Sequence, residues 1–155
     1  MSRSFPARFD SVTQTDQVGS VRFTRRRRLF AAALGAGWMV PLVVALWLEP
    51  SPTGLGTHRQ LGLPPCTSIW LFGIRCPSCG MTTSWSHAVR GDWSSAVGAN
   101  TAGALLAALT MLGGPWLMLS AARGRWLLIR PTERLLAVGA VIVAVVTLLD
   151  WIRRL

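Results

Sequence analysis

The side chains able to do chemistry are gathered in one stretch of the chain. All three cysteines, Cys66, Cys76 and Cys79, and both histidines, His58 and His87, lie between positions 58 and 87. Three is an odd number, so at most one internal disulfide forms and one thiol is left over. Three thiolates with one histidine would make a tetrahedral Cys₃His set for zinc, and Met81 would suit Cu(I) beside thiolates. Cys76-Pro77-Ser78-Cys79 at a helix start is an arrangement that lowers a thiol pKa, through the helix N-terminus and the neighbouring Arg75. A structural staple, a metal site and a redox pair therefore all begin from the same three residues.

Spacing ranks these readings. The tetrapeptide is glutaredoxin-like, but a redox C-x-x-C belongs in a βαβ context, and no such pattern is visible. His87 is eight residues beyond Cys79, about 12 Å of rise on a continuous helix. It could join a metal only if the helix began late or broke, and on a short interfacial helix it reads first as a hydrogen-bonded surface residue. His58, on a loop, could fold back. The absence of C-x-x-C-H argues against covalent c-type haem. The leading expectation is a staple from Cys66 to Cys76 or Cys79. Metal is then bound weakly or not at all, no cofactor is expected, and zinc is the ion the set would take if it took one. There is no Gly-rich phosphate loop, H-E-x-x-H or Ser-centred elbow. Asp92 is the only acid between Glu49 and Glu133, so acid–base catalysis has little material.

The elements that must position these residues read as membrane helices. Of 155 residues, 51% are apolar and only 14% charged, against roughly 25% charged in an average soluble domain. Uncharged runs cover 29–48 and 101–122, and a third extends over 135–152 with Asp150 near one interface. At 1.5 Å per residue, such runs span about 27–33 Å, the thickness of a bilayer's hydrocarbon core. The predicted fold is all-α: an integral membrane protein with three transmembrane helices and a short interfacial helix in the cysteine loop, 49–100. Residues 1–28 are expected to be a disordered basic cytoplasmic tail, and 29–155 the membrane domain. Ala33/Gly37, Gly103/Ala107 and Ala140/Ala144 are small pairs that permit close helix packing. Gly113-Gly114-Pro115 should kink the second span.

Charge sets the expected orientation. The net charge is +10, carried by 16 arginines and no lysine. That balance would ordinarily raise nucleic acid as a partner. Here the arginines flank apolar runs, so they read as a topology signal, and no nucleic-acid partner is expected. Segments 1–28, 49–100, 123–134 and 150–155 hold seven, three, four and two arginines. The positive-inside rule then puts the N-terminus in the cytoplasm, and the cysteine loop and C-terminus outside. Arg153-Arg154 argues weakly against this as a short terminal tag. Thr24 and the arginines after it resemble a twin-arginine signal, but no A-x-A-like cleavage site follows the run. An uncleaved anchor is the preferred reading.

Within the loop, Trp70, Leu71, Phe72, Trp85 and Trp93 favour a position at the membrane interface. Met81, Trp85 and Val89 share one face of a short helix, with Thr83, His87 and Arg90 on a polar face. Gly91 can end that helix and Asp92 can N-cap the next. The next helix is expected to run from about Trp93 through the second span, carrying Asn100 inside the membrane, where an interhelical hydrogen bond is favoured over substrate contact.

The stretch Cys66 to Asn100 resembles the bacterial membrane proteins grouped as domain-of-unknown-function family 2752. The elements that carry the resemblance are Cys66, Gly73, the run Cys76-Pro77-Ser78-Cys79-Gly80-Met81-Thr82, Gly91-Asp92 and Asn100. Many members have Arg where this chain has Thr83, and Pro is common where it has Thr101. The resemblance implies a small multi-pass protein of the bacterial inner membrane with no established activity. The expected role is an accessory or binding protein, with an unknown membrane protein or a second copy as partner. A non-enzyme is favoured; an enzyme would be a thiol-disulfide oxidoreductase using Cys76 and Cys79.

Overall fold

The computed structural model describes residues 22–155. Every regular element among them is helical: α1 (Arg25–Trp47), a 3-10 turn (Thr57–Leu61), α2 (Thr67–Phe72), α3 (Met81–Ala88), α4 (Trp93–Ala99), α5 (Thr101–Arg123) and α6 (Glu133–Arg153). Three of them, α1, α5 and α6, are long and apolar enough to cross a membrane. The three long apolar helices expected from sequence are therefore present.

Two boundaries differ from expectation. Helix α1 opens four residues early, at Arg25, because the Thr24 hydroxyl caps it by accepting from Arg27 N at 3.4 Å. Arg25 to Arg28 thus belong to the helix and not to a tail, and residues 1–21 of the expected tail lie outside the described residues. The expected continuous helix from Trp93 into the second span is divided at Asn100, whose backbone is extended (φ −164°, ψ 110°). That one residue ends α4 and caps α5.

The centre of the fold is an antiparallel pair, α1 against α5. It is close because glycines leave room for side chains opposite. A Cβ at Gly35 would lie 2.8 Å from Met118 Cγ, one at Gly113 2.8 Å from Trp38, and one at Gly114 2.6 Å from Met39 Cε. The glycines beside Pro115 therefore receive side chains from α1, and α5 runs unbroken through the proline. Of the expected small pairs, Gly103 and Ala107 are buried, whereas Ala33, Gly37, Ala140 and Ala144 are exposed. Gly37 lost its place to Gly35 because the seam follows a different helix face.

Arginines close both ends of this pair. Arg28 donates to the carbonyls of Ala121 (3.0 Å) and Ala122 (2.8 Å) at the C-terminus of α5. Arg90, from the loop, donates to those of Ala45 (3.2 Å) and Leu46 (3.0 Å) at the C-terminus of α1. Each guanidinium donates to carbonyls in the last turn of a helix and sits at the negative end of its dipole. Helix α6 is different. Only Asp150 is buried along it, so the rest of the chain holds it at its C-terminal end.

Candidate functional site

The cysteines are brought together by two tight turns. Cys66 precedes α2, which lasts six residues before Gly73 (φ 67°) ends it by donating to Ile69 O. The chain then turns through Cys76 to Cys79, with Cys79 N donating to Cys76 O at 3.0 Å. Gly80 follows with φ 84°. A Cβ there would stand 2.6 Å from Ala99 O and 2.9 Å from Gly54 O, so both backbone angle and space require glycine. Helix α3 starts only at Met81.

The three sulfur atoms lie within 4.8 Å of one another. Cys66 Sγ is 3.4 Å from Cys76 Sγ, which is 3.0 Å from Cys79 Sγ. A disulfide needs about 2.05 Å, so all three are free thiols and the expected staple is not formed. Cys76 lies between the other two, within contact of each sulfur. Cys79 is buried and Cys66 and Cys76 are half-buried. They border a cavity of about 600 Å³, whose wall also includes His58, Arg59, Ile69 and Met81.

The environment separates two thiols by acidity. Hydrogen bonding from the Cys79 thiol, from the backbone of Ile69 and from the Cys76 thiol pulls Cys66 down to about 6. Burial, reinforced by the other two sulfurs, pushes Cys79 up to about 12. The acidic thiol is thus on Cys66, not at the C-P-x-C turn. The turn is finished before α3 begins, and Arg75 contributes its carbonyl to the fold, accepting from Trp151 Nε1 at 2.6 Å.

Two side chains grip the turn from behind. Asn100 is fully buried. Its Nδ2 donates to Pro77 O and Cys79 O, both at 3.1 Å, while Oδ1 accepts from Gly103 N at 2.7 Å. Arg154 donates to Cys79 O (2.8 Å), Pro77 O (3.3 Å) and Ala99 O (3.4 Å). Asp150 orients Arg154 at 2.8 Å and also accepts from Thr101 N (3.2 Å) and Thr101 Oγ1 (2.8 Å) at the start of α5. Sequence reading missed Arg154, Asp150 and Trp151 as site residues. The available signal was an Asp with Arg at i+3 and i+4 closing an otherwise apolar helix.

The remaining motif residues divide into near and far. His58 is on the cavity wall, and its Nε2 lies 3.2 Å from Pro64 O. A carbonyl only accepts, so Nε2 carries the proton and Nδ1 keeps the lone pair in the neutral ring. His87 pairs with Asp92 instead, Nδ1 to Oδ2 at 3.1 Å, and is not on the cavity wall. Asp92 caps α4 as expected, accepting from Ser95 N at 3.1 Å. Hydrogen bonds from Ser95 and Ser94, with the nearby His87, hold its carboxyl at about 2. Gly91 turns with φ 80°, and Thr82 is on the cavity wall. Thr83 departs from the expected polar face: it is buried and shares a 2.8 Å hydrogen bond with Thr57, which pins the 3-10 turn to α3.

A family model described as "Protein of unknown function (DUF2752)" matches residues 66–114. The chain resembles that family across the cysteine cluster, its clamp Asn100 and the first half of α5. No curated protein and no solved structure matches the chain.

Proposed function

We propose that the chain is a small membrane-anchored binding protein whose cysteine loop holds a thiophilic metal ion, zinc or Cu(I), through Cys66, Cys76 and Cys79. The observation that carries this reading is the approach of three unbonded sulfurs to within 4.8 Å at the edge of a cavity. Metal–sulfur bonds of about 2.3 Å set tetrahedral sulfurs roughly 3.8 Å apart, so the separations of 3.0 and 3.4 Å would have to widen around an ion, by less than about 1 Å each. Three thiolates alone suit Cu(I). Zinc would take a fourth ligand, and His58 is the candidate: it shares the cavity, and its Nε2–H already donates to a backbone carbonyl, the usual outer support of a ligating imidazole. His87 is committed to Asp92. What the bound ion supplies is a Lewis-acidic or ligand-exchanging centre; the chain's own residues fix the sulfurs through Asn100 and Arg154.

The test is metal titration of the reduced full-length protein in detergent, with elemental analysis. About one ion per chain is expected, lost in Cys66→Ser, Cys76→Ser and Cys79→Ser. His58→Ala should weaken zinc binding and leave Cu(I) nearly unchanged, and His87→Ala should change neither. Fully reduced thiols that take up neither metal would overturn the reading.

A second reading rests on the 3.0 Å approach of Cys76 and Cys79 beside the acidic Cys66 thiol: exchange with an external disulfide. The C-P-x-C pair would give up two electrons and two protons as it closed, and the partner disulfide would become two thiols. Reversible closure of Cys76–Cys79 by an added disulfide, in protein that binds no metal, would select it.

A further inference from the structure

At the opposite end of the molecule from the cysteines is a larger cavity, about 960 Å³, that the metal reading does not use. Its mouth is basic. Arg26 and Arg27 come from the first turn of α1, and Arg130 from the segment joining α5 to α6. The rest of its wall is apolar, with Phe30 and Leu34 further along α1 and Leu117 from α5. No Asp or Glu lines it, and none of the three arginines has a carboxylate partner among the described residues. Their neighbour Arg28, by contrast, is spent on the C-terminal carbonyls of α5.

The segment that carries Arg130 is held in place. Trp126 stacks on Trp116 with ring centroids 5.6 Å apart and meets Phe23 edge-on at 4.9 Å. Phe23 N donates to Gly124 O at 2.6 Å. Three arginines from two anchored segments therefore line one cavity. Eight residues separate Arg26 from Leu34, so the apolar wall extends about 12 Å along the helix from the charged mouth.

We propose that this cavity is a binding site for an anionic phospholipid. The phosphate sits among Arg26, Arg27 and Arg130, where guanidinium forks match phosphate oxygens. One acyl chain lies along Phe30, Leu34 and Leu117. The charge selects against zwitterionic lipids, and the depth of apolar wall selects against a free headgroup. A basic pocket between spanning helices is a physically sound cradle for such a headgroup. The assignment is independent of what the cysteines bind.

The test uses the full chain in nanodiscs of equimolar phosphatidylglycerol and phosphatidylcholine, read by native mass spectrometry of the lipid that stays bound on release. Phosphatidylglycerol should be retained on the order of tenfold or more over phosphatidylcholine. The triple variant Arg26→Gln/Arg27→Gln/Arg130→Gln should lose that preference. The control Arg123→Gln/Arg125→Gln/Arg134→Gln removes equal charge near the same end but from outside the cavity, and should keep it. Leu34→Trp fills the apolar wall, leaves every arginine in place, and should also lose the lipid. This last variant decides the matter if the arginine variants fail to fold. Equal loss in both triple variants, equal retention of the two lipids, or undiminished lipid in Leu34→Trp would each overturn the proposal.

Discussion

Cys66 and Cys79 are the same chemical group a few ångströms apart, yet their surroundings drive them in opposite directions. Cys66 is held at about 6 by donors that favour its thiolate, whereas burial holds Cys79 at about 12. The thiolate is the nucleophile, and its fraction rises with pH. In reduced, metal-free protein, alkylation of Cys66 should therefore be half-maximal near pH 6, with Cys79 reacting only at much higher pH. Peptide mass spectrometry after short iodoacetamide pulses at several pH values reads this directly. Faster labelling of Cys79 than of Cys66 at pH 7 would contradict the arrangement. Sequence alone pointed to the C-P-x-C pair as the acidic site because a helix start and Arg75 were the only visible causes. The largest cause is contact with Cys79, thirteen positions away, which local spacing does not reveal; the backbone of Ile69, at the start of α2, adds to it. The candidate set itself was legible, since every cysteine fell in one short stretch. What stayed hidden was that the sulfurs meet without bonding.

At the level of elements, Asn100 does the work of a hinge pin. It ends α4, caps α5, and ties both to the carbonyls of the cysteine turn. Asn100→Ala removes a cap and leaves buried polar groups without partners, which costs about 2–4 kcal/mol and should show as a lowered denaturation midpoint. Asn100→Asp separates the two roles. It keeps an acceptor for Gly103 N but replaces the amide donor with an oxygen facing two carbonyl oxygens. Helicity by circular dichroism should be nearly retained in Asn100→Asp, while metal affinity falls and the labelling rate of Cys79 rises. Unchanged cysteine chemistry in that variant would mean that Arg154 holds the turn alone. The three long helices were legible because length and uniform apolarity are sufficient signals for a spanning helix. The break at Asn100 was not. Thr101-Ala102-Gly103 follows Trp93 to Ala99 with no proline between them, and only the demand of the distant Pro77 and Cys79 carbonyls makes the kinked path favourable.

For the molecule as a whole, the contacts sort the chain into two ends. Phe23 and Arg28 meet the C-terminal end of α5, so the start of α1 and the α5–α6 connection share one end. Trp151 and Arg154 meet the cysteine turn, so the C-terminus and the metal candidate share the other. The Arg153-Arg154 pair, which read from sequence as a weak argument against an outward C-terminus, has a structural reason to be there: Arg154 is almost buried against the turn, and both arginines pair with Asp150. Discounting that pair strengthens the charge asymmetry of the sequence, with seven arginines in segment 1–28 and four in 123–134 against three in the cysteine loop. By the positive-inside rule the first end is expected to face the cytoplasm. A membrane-impermeant maleimide applied to intact cells should then label an engineered cysteine at position 60 but not one at position 128, each in a background with Cys66, Cys76 and Cys79 replaced by serine. Permeabilised cells should show both. Labelling at 128 with protection at 60 would reverse the orientation, expose the cysteines to a reducing compartment, and place the arginine-lined cavity on the outer leaflet. Labelling at both positions in intact cells would break the three-span arrangement itself, because the two sites are separated by α5, a single crossing.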